Sequence, residues 1–200
     1  MPNQNSSNGK LKTVTVQPPR PNDCTYWVTE SLLAGEYPTD RSYDDDKTRQ
    51  KLRQYLQSGI TYFVDLTREG EKLPYADLLQ EEAAKLKLDV VVSRFAIPDF
   101  GIPQKPQLME DILTAMDTAI DQEKRKVYVH CRGGIGRTGT TVGCYLARHG
   151  YNTDPEEALQ ATNQLFQNSG RSLESSVSPE TDEQMDFVRQ WAQQSSAPNL

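Results

Sequence analysis

Apolar and polar positions change period repeatedly along the chain, and each change marks an element. Tyr26-Trp27-Val28 and Leu32-Leu33-Ala34 are short apolar runs closed by Gly35 and Pro38, which predicts two strands. Thr48, Leu52, Tyr55 and Leu56 recur at helical spacing between Asp44 and Ser58, and Gly59 ends the run. Ile60 to Leu66 is rich in β-branched and aromatic residues, as strands are. Tyr75, Leu78, Leu79, Ala83 and Leu86 predict a second helix, and Val90 to Phe95 a strand. Leu108, Ile112, Ala115, Met116 and Ala119 mark a third helix, and Val127-Tyr128-Val129 a short buried strand. Thr138 to His149 reads as helix and Gly150 stops it. Asp154 is placed to cap a further helix with Pro155 in its first turn, and Ser178-Pro179 predicts the same device for a last helix bearing Met185, Val188 and Trp191. Strands alternate with helices up to residue 150 and only helices follow. That order predicts an α/β fold: a central, mostly parallel sheet flanked by helices, with a helical C-terminal part.

Composition narrows the organisation. A length of 200 residues favours one domain. Residues 1–22 are rich in Asn, Ser, Gln and Pro and are expected to form a flexible N-terminal arm. The folded domain is expected over 23–194, with a frayed end at 195–200. No internal repeat is found. Twenty-eight acids against 22 bases give a net charge of −6, which argues against a nucleic-acid partner. No apolar run approaches the roughly 18 residues of a membrane span, and Met1 to Leu11 lacks the apolar centre of a secretory signal. Three cysteines make no disulfide framework, so a reducing, cytoplasmic setting is expected.

Chemistry concentrates in His130-Cys131-Arg132-Gly133-Gly134-Ile135-Gly136-Arg137-Thr138-Gly139, between a buried strand and a helix. Three glycines let a loop turn its N–H groups inward around one anion. The helix that follows presents its positive N-terminal end. Arg137 offers a planar fork that matches two phosphate oxygens. Cys131 opens the loop, at the centre of this positive field. Cysteines in such fields react as thiolates at neutral pH, so Cys131 is the candidate nucleophile.

His-Cys, five residues and then Arg-Thr resembles the signature of the cysteine-based protein tyrosine and dual-specificity phosphatases. Those four residues recur by chance in well under about one chain in a thousand of this length. Ile97-Pro98-Asp99-Phe100-Gly101-Ile102-Pro103 resembles the movable general-acid loop of that family. Ser178-Pro179-Glu180-Thr181-Asp182-Glu183-Gln184 resembles, more loosely, the loop whose glutamine positions water. The resemblance runs from about Tyr26 to Trp191, and the length suits the compact dual-specificity branch. It implies that Cys131 attacks phosphorus, that Asp99 protonates the leaving oxygen, and that Arg137 holds the phosphoryl oxygens with the amides of Arg132, Gly133, Gly134, Ile135 and Gly136. It further implies that Thr138 hydrogen-bonds the sulfur, that Gln184 orients the hydrolytic water, and that His130 braces the loop. The chemistry so implied calls for no metal and no cofactor. Its partners would be phosphorylated proteins bearing phosphotyrosine, with phosphoserine or phosphothreonine if the pocket is shallow, or small phosphate esters. Inositol phosphates and phosphoinositides are the alternative substrates, and a phosphate-binding pseudophosphatase is the non-enzyme alternative. Thr67-Arg68-Glu69 is placed where a pocket wall could form.

Other readings of the same residues are weaker. Gly134 to Gly139 also satisfies the dinucleotide-binding glycine pattern. It falls too late for a second βαβ unit, lacks the acid-tipped strand about 20 residues on, and leaves Cys131 and Arg137 without a use. No lysine follows the last glycine, which excludes a Walker-type loop. A sulfurtransferase loop also opens with cysteine, but it has no Arg-Thr six places later. Cys24 and Cys144 are expected as small core residues, and His149 as a group at a helix end. Asp44-Asp45-Asp46 is expected as a negative first helical turn rather than a metal site.

Overall fold

The computed structural model describes residues 17–151 and 154–195. Five strands form one sheet in the order β1-β2-β5-β3-β4. They are β1 (Thr25–Trp27), β2 (Leu32–Gly35), β3 (Ile60–Asp65), β4 (Val91–Arg94) and β5 (Lys126–His130). β1 runs antiparallel to β2, and every other pairing is parallel. Parallel neighbours need crossovers, and helices supply them. These are α1 (Asp45–Gln57), α2 (Ala76–Lys85) and α3 (Pro106–Asp117); α4 (Gly136–Arg148), α5 (Pro155–Gln167) and α6 (Asp182–Ser195) follow the last strand. The expected mostly parallel sheet, with helices after residue 150, is what the chain forms.

Side chains alternate across the sheet, so it feeds two cores. Leu32, Ala34, Val64, Val127 and Val129 face a core shared with α3, α4, α5 and α6. Leu33, Phe63 and Tyr128 face the other, with Leu52, Tyr55 and Leu56 of α1 and Leu79 and Ala83 of α2. β5 lies at the centre, between β2 and β3. The loop that leaves its C-terminal end is therefore mounted on the most constrained strand, at the edge where parallel α/β sheets place ligands.

Local chemistry explains most element ends. The Asp44 carboxylate accepts from Lys47 N–H at 3.0 Å, with Asp45 and Asp46 in the first turn of α1, as the acidic run predicts. Gly59 follows α1 at φ +86°. Asp154 accepts from the N–H groups of Glu156 and Glu157 at the start of α5. The expected cap at Ser178 is corrected. α6 begins at Asp182, and its first turn is closed by Thr181 Oγ1, which accepts from Gln184 N–H at 3.2 Å. The Ser178 hydroxyl is engaged elsewhere, on the loop after β5.

The expected arm lies largely outside the described residues, as does the end at 196–200. Arg20 donates to the carbonyls of Thr25 and Asn168, and Trp27 Nε1–H donates to Pro19 O, so residues 19–22 dock along β1 and the end of α5. Among the described residues no helix is long and apolar enough to cross a membrane.

Candidate active site

The loop from Cys131 to Gly136 joins β5 to α4 at the floor of an open cavity of about 450 Å³. Cys131 is 3% exposed, and its Sγ accepts the Gly134 N–H at 3.3 Å. Gly134 has φ +73°, and a Cβ there would strike the Gly35 and Glu36 backbone. Both facts require glycine and let the loop lie against β2. Gly136 has no such torsion; a Cβ there would meet the Gln184 amide at 2.7 Å.

Arg137 reaches back under the loop with its side chain 1% exposed. Its guanidinium donates to Glu71 through both terminal nitrogens, at 2.9 and 2.6 Å. It also donates to Ile97 O at 3.1 Å and to Asp99 Oδ1 at 2.8 Å. Burial opposes its charge, but the Glu71 carboxylate, with Cys131 and Asp99, more than offsets this and raises its pKa further. Glu71 is the reciprocal case. Burial disfavours its carboxylate, and Arg137 and the Arg68 N–H hold it below the usual range. Glu71 is absent from the sequence-based expectations because its loop carries no recognisable spacing. Thr67-Arg68-Glu69, expected as a wall, is corrected: Thr67 is buried and bonded to Asp65, and the next turn instead sends Lys72 to the cavity.

Asp99 stands on the loop after β4, over Arg137, with Oδ2 3.6 Å from Arg132. Gln184 is fully buried at the start of α6. Its Nε2 donates to Gly101 O at 3.0 Å, and its Oε1 accepts the N–H groups of Glu180 and Thr181. Gln184 thus ties the Asp99 loop to the turn that opens α6, and it lines the cavity. Thr138 Oγ1 is buried without a hydrogen-bond partner, so the bond to sulfur expected of it is not made. The Sγ takes the Gly134 N–H instead. Tyr37, Phe100 and Ile135 give the cavity apolar walls, and its charged lining sets Arg41, Lys72, Arg132 and Arg171 beside Glu36, Glu174 and Glu180.

His130 points to the opposite face of the sheet from Cys131. It is buried among Tyr37, Tyr75 and Tyr128, and its Nε2 shares a 2.8 Å hydrogen bond with the Tyr75 hydroxyl. Burial lowers its pKa from 6.5 to about 4, against the pull of Asp65. It is a neutral brace at pH 7. The unfolded chain then binds more protons than the folded one between pH 6.5 and 4. Stability contributed by His130 is full above pH 6.5 and lost as pH falls toward 4, by about 3 kcal/mol across the window. Urea midpoints measured from pH 7 to 5 should fall accordingly, before the lowered carboxylates begin to titrate in the unfolded chain near 4.5. His130→Asn should flatten that stretch, and a flat profile in the parent protein would contradict a buried neutral imidazole.

Cys144 is buried within α4 as expected, whereas Cys24 is only half-buried. His149 follows α4 and bonds Asp117 at 2.9 Å.

Comparison with known proteins places this geometry. The family model for the Swiss Army Knife protein, DSP-PTPase phosphatase domain, matches residues 22–199. Protein tyrosine phosphatase domain-containing protein 1 of Mus musculus is 28% identical over 127 residues, covering 60% of this chain and 16% of its own. The curated relatives it matches are longer, and the aligned part of this chain spans from about half down to 5% of their length. The kinase associated phosphatase shares the fold at a TM-score of 0.65 and 18% identity, over 87% of this chain and 95% of its own. PTPMT1 does so at 0.62 and 15%, over 86% and 97%. With its cysteine loop seated between β5 and α4 and the match extending over nearly all of the folded residues, the chain belongs to the DSP-PTPase phosphatase domain family of the Swiss Army Knife proteins.

Proposed function

We propose that the chain hydrolyses phosphate monoesters through a phosphocysteine, most readily on phosphorylated protein. One observation carries the reading: Cys131 Sγ, the Gly134 N–H and the Arg137 guanidinium converge on the floor of one cavity. In the first step the Cys131 thiolate attacks phosphorus in line, the S–P bond forms and the ester P–O bond breaks. Asp99 gives its proton to the departing oxygen. Arg137 and the loop amides hold the three equatorial oxygens as charge redistributes. In the second step water attacks phosphorus, Asp99 takes its proton, the S–P bond breaks, and inorganic phosphate leaves with the thiolate restored. Asp99 must let go of Arg137 to do this. The chain's own cations neutralise the phosphate in this scheme. A reducing, cytoplasmic setting belongs to the proposal, because the nucleophile must remain a free thiol.

Tyr37 and Phe100 favour a substrate that carries an aromatic ring into the cavity, as phosphotyrosine does. The mouse relative is named for a protein tyrosine phosphatase domain. Lys72 and Arg132 at the cavity support a second reading, an inositol phosphate or phosphoinositide, and PTPMT1 has been solved with PI(5)P. Cys131, Arg137 and Asp99 are all in place, which weighs against a pseudophosphatase. The purified chain should release inorganic phosphate from p-nitrophenyl phosphate, and orthovanadate should stop it. A panel of phosphopeptides, inositol phosphates and sugar phosphates ranked by kcat/KM should place phosphotyrosine peptides first. Absence of phosphate release from every member would sink the hydrolase reading.

A further inference from the structure

Three hydrogen bonds hold carbonyls of the cysteine loop from outside. Tyr37 N–H donates to Arg132 O at 3.2 Å, Ser178 Oγ–H to Ile135 O at 2.8 Å, and Arg171 Nε–H to Gly133 O at 3.0 Å. A peptide unit is planar, and its C=O and N–H point in opposite directions. A carbonyl held outward therefore turns the following N–H inward. For Gly133 that N–H belongs to Gly134, and it lies 3.3 Å from Cys131 Sγ.

Arg171 supplies the one charged donor of the three. It sits on the short turn Gly170–Leu173 between α5 and α6, far from the motif, with its side chain 12% exposed. Glu174 pairs with its Nη1, and Glu36 Oε2 lies 3.8 Å from its Nε. Glu36 is itself fixed by Lys51 at 2.7 Å and Arg41 at 2.9 Å. The guanidinium is thus held from two sides. The Gly133–Gly134 peptide is clamped as well, between Arg171 and the Gly35–Glu36 backbone at the end of β2.

We propose that Arg171 is a positioning residue of the active site: it locks the Gly133–Gly134 peptide so that its N–H faces the Cys131 sulfur and the phosphoryl group carried there. A cation on the carbonyl oxygen also polarises the peptide and strengthens the N–H as a donor. The inference rests on Cys131 being the nucleophile. It gives the helical C-terminal part a chemical purpose beyond burying α4.

The test is Arg171→Met, with three readouts. With p-nitrophenyl phosphate, kcat should fall at least about tenfold while KM changes less than about threefold, as expected when one donor to the reacting group is misaligned. Tungstate should bind about tenfold more weakly by calorimetry. Iodoacetamide alkylation of Cys131, followed by peptide mass spectrometry, should shift to higher pH. A merely structural role would lower Tm and leave the alkylation profile unmoved. Arg171→Lys should recover part of each loss. Should R171M not fold, R171K carries the test alone, since the shorter side chain cannot span Gly133 O and Glu174 together, and a loss of at least about threefold in kcat is expected. A kcat within twofold of the parent together with an unchanged alkylation profile would overturn the assignment. If the parent itself releases no phosphate, the hydrolase reading falls, and tungstate binding and alkylation still decide the place of Arg171.

Discussion

Cys131→Ser is expected to reduce turnover of p-nitrophenyl phosphate by at least about 10⁴-fold, the scale on which loss of a nucleophile acts. The loss is this large because no base is bonded to the atom at the Sγ position. The group bonded to Sγ is a donor, the Gly134 N–H, which stabilises an anion but removes no proton. The imidazole next in sequence is turned away. His130 is bonded to Tyr75 on the far face of the sheet, and its pKa of about 4 makes it a weak base. A serine–histidine pair therefore cannot form, whatever the adjacency of residues 130 and 131 suggests. The loop itself should persist, since its shape comes from Gly134, the Arg137–Glu71 pair and the outer hydrogen bonds. Calorimetry should accordingly show tungstate binding by C131S within about tenfold of the parent. Hydrolysis by C131S within tenfold of the parent would remove the phosphocysteine from the mechanism.

The parts of this molecule legible in the sequence are those written in local periodicity or in one contiguous motif. β5, with Val127, Tyr128 and Val129 filling both cores, and α4 behind it could be placed by pattern alone, and so could the cysteine loop between them. Asp44 and Asp154 announced their helices because a cap acts within three residues. Residues that reach the site from a distance carry no such mark. Glu71 pairs with an arginine 66 positions later, and Arg171 holds a glycine carbonyl 38 positions earlier. Neither has a period or a motif; each is defined by which loop the fold lays beside it. Ser178 shows how a local rule fails when a tertiary bond competes. Its hydroxyl had the sequence context of a helix cap, yet it bonds Ile135 O, and Thr181 takes over the cap. Gln184 had the same fate in reverse. Expected only as a group that orients water, it is buried, with room for its amide because residue 136 is glycine.

Asp99→Ala should separate chemistry from binding in opposite directions. Loss of a general acid costs about 10²–10⁴ in rate, so kcat on a substrate with a poor leaving group should fall by that amount. The fall should be smaller for p-nitrophenyl phosphate, whose leaving oxygen needs little protonation. Binding responds to a different feature of the same side chain. Asp99 Oδ1 lies 2.8 Å from Arg137 Nη2, the fork a phosphoryl group must engage, and Oδ2 lies 3.6 Å from Arg132. An incoming dianion has to displace or repel this carboxylate. Removing it frees part of the Arg137 fork, while Glu71 keeps that fork oriented through both nitrogens. Tungstate should therefore bind D99A more tightly than the parent, and KM should fall rather than rise. Asp99→Asn keeps the size and loses the charge, so it should share the tighter binding. Weaker tungstate binding by both variants would show that Asp99 supports the anion site instead of competing for it. An unchanged kcat on an alkyl phosphate or phosphoserine peptide that the parent hydrolyses would remove it as the acid.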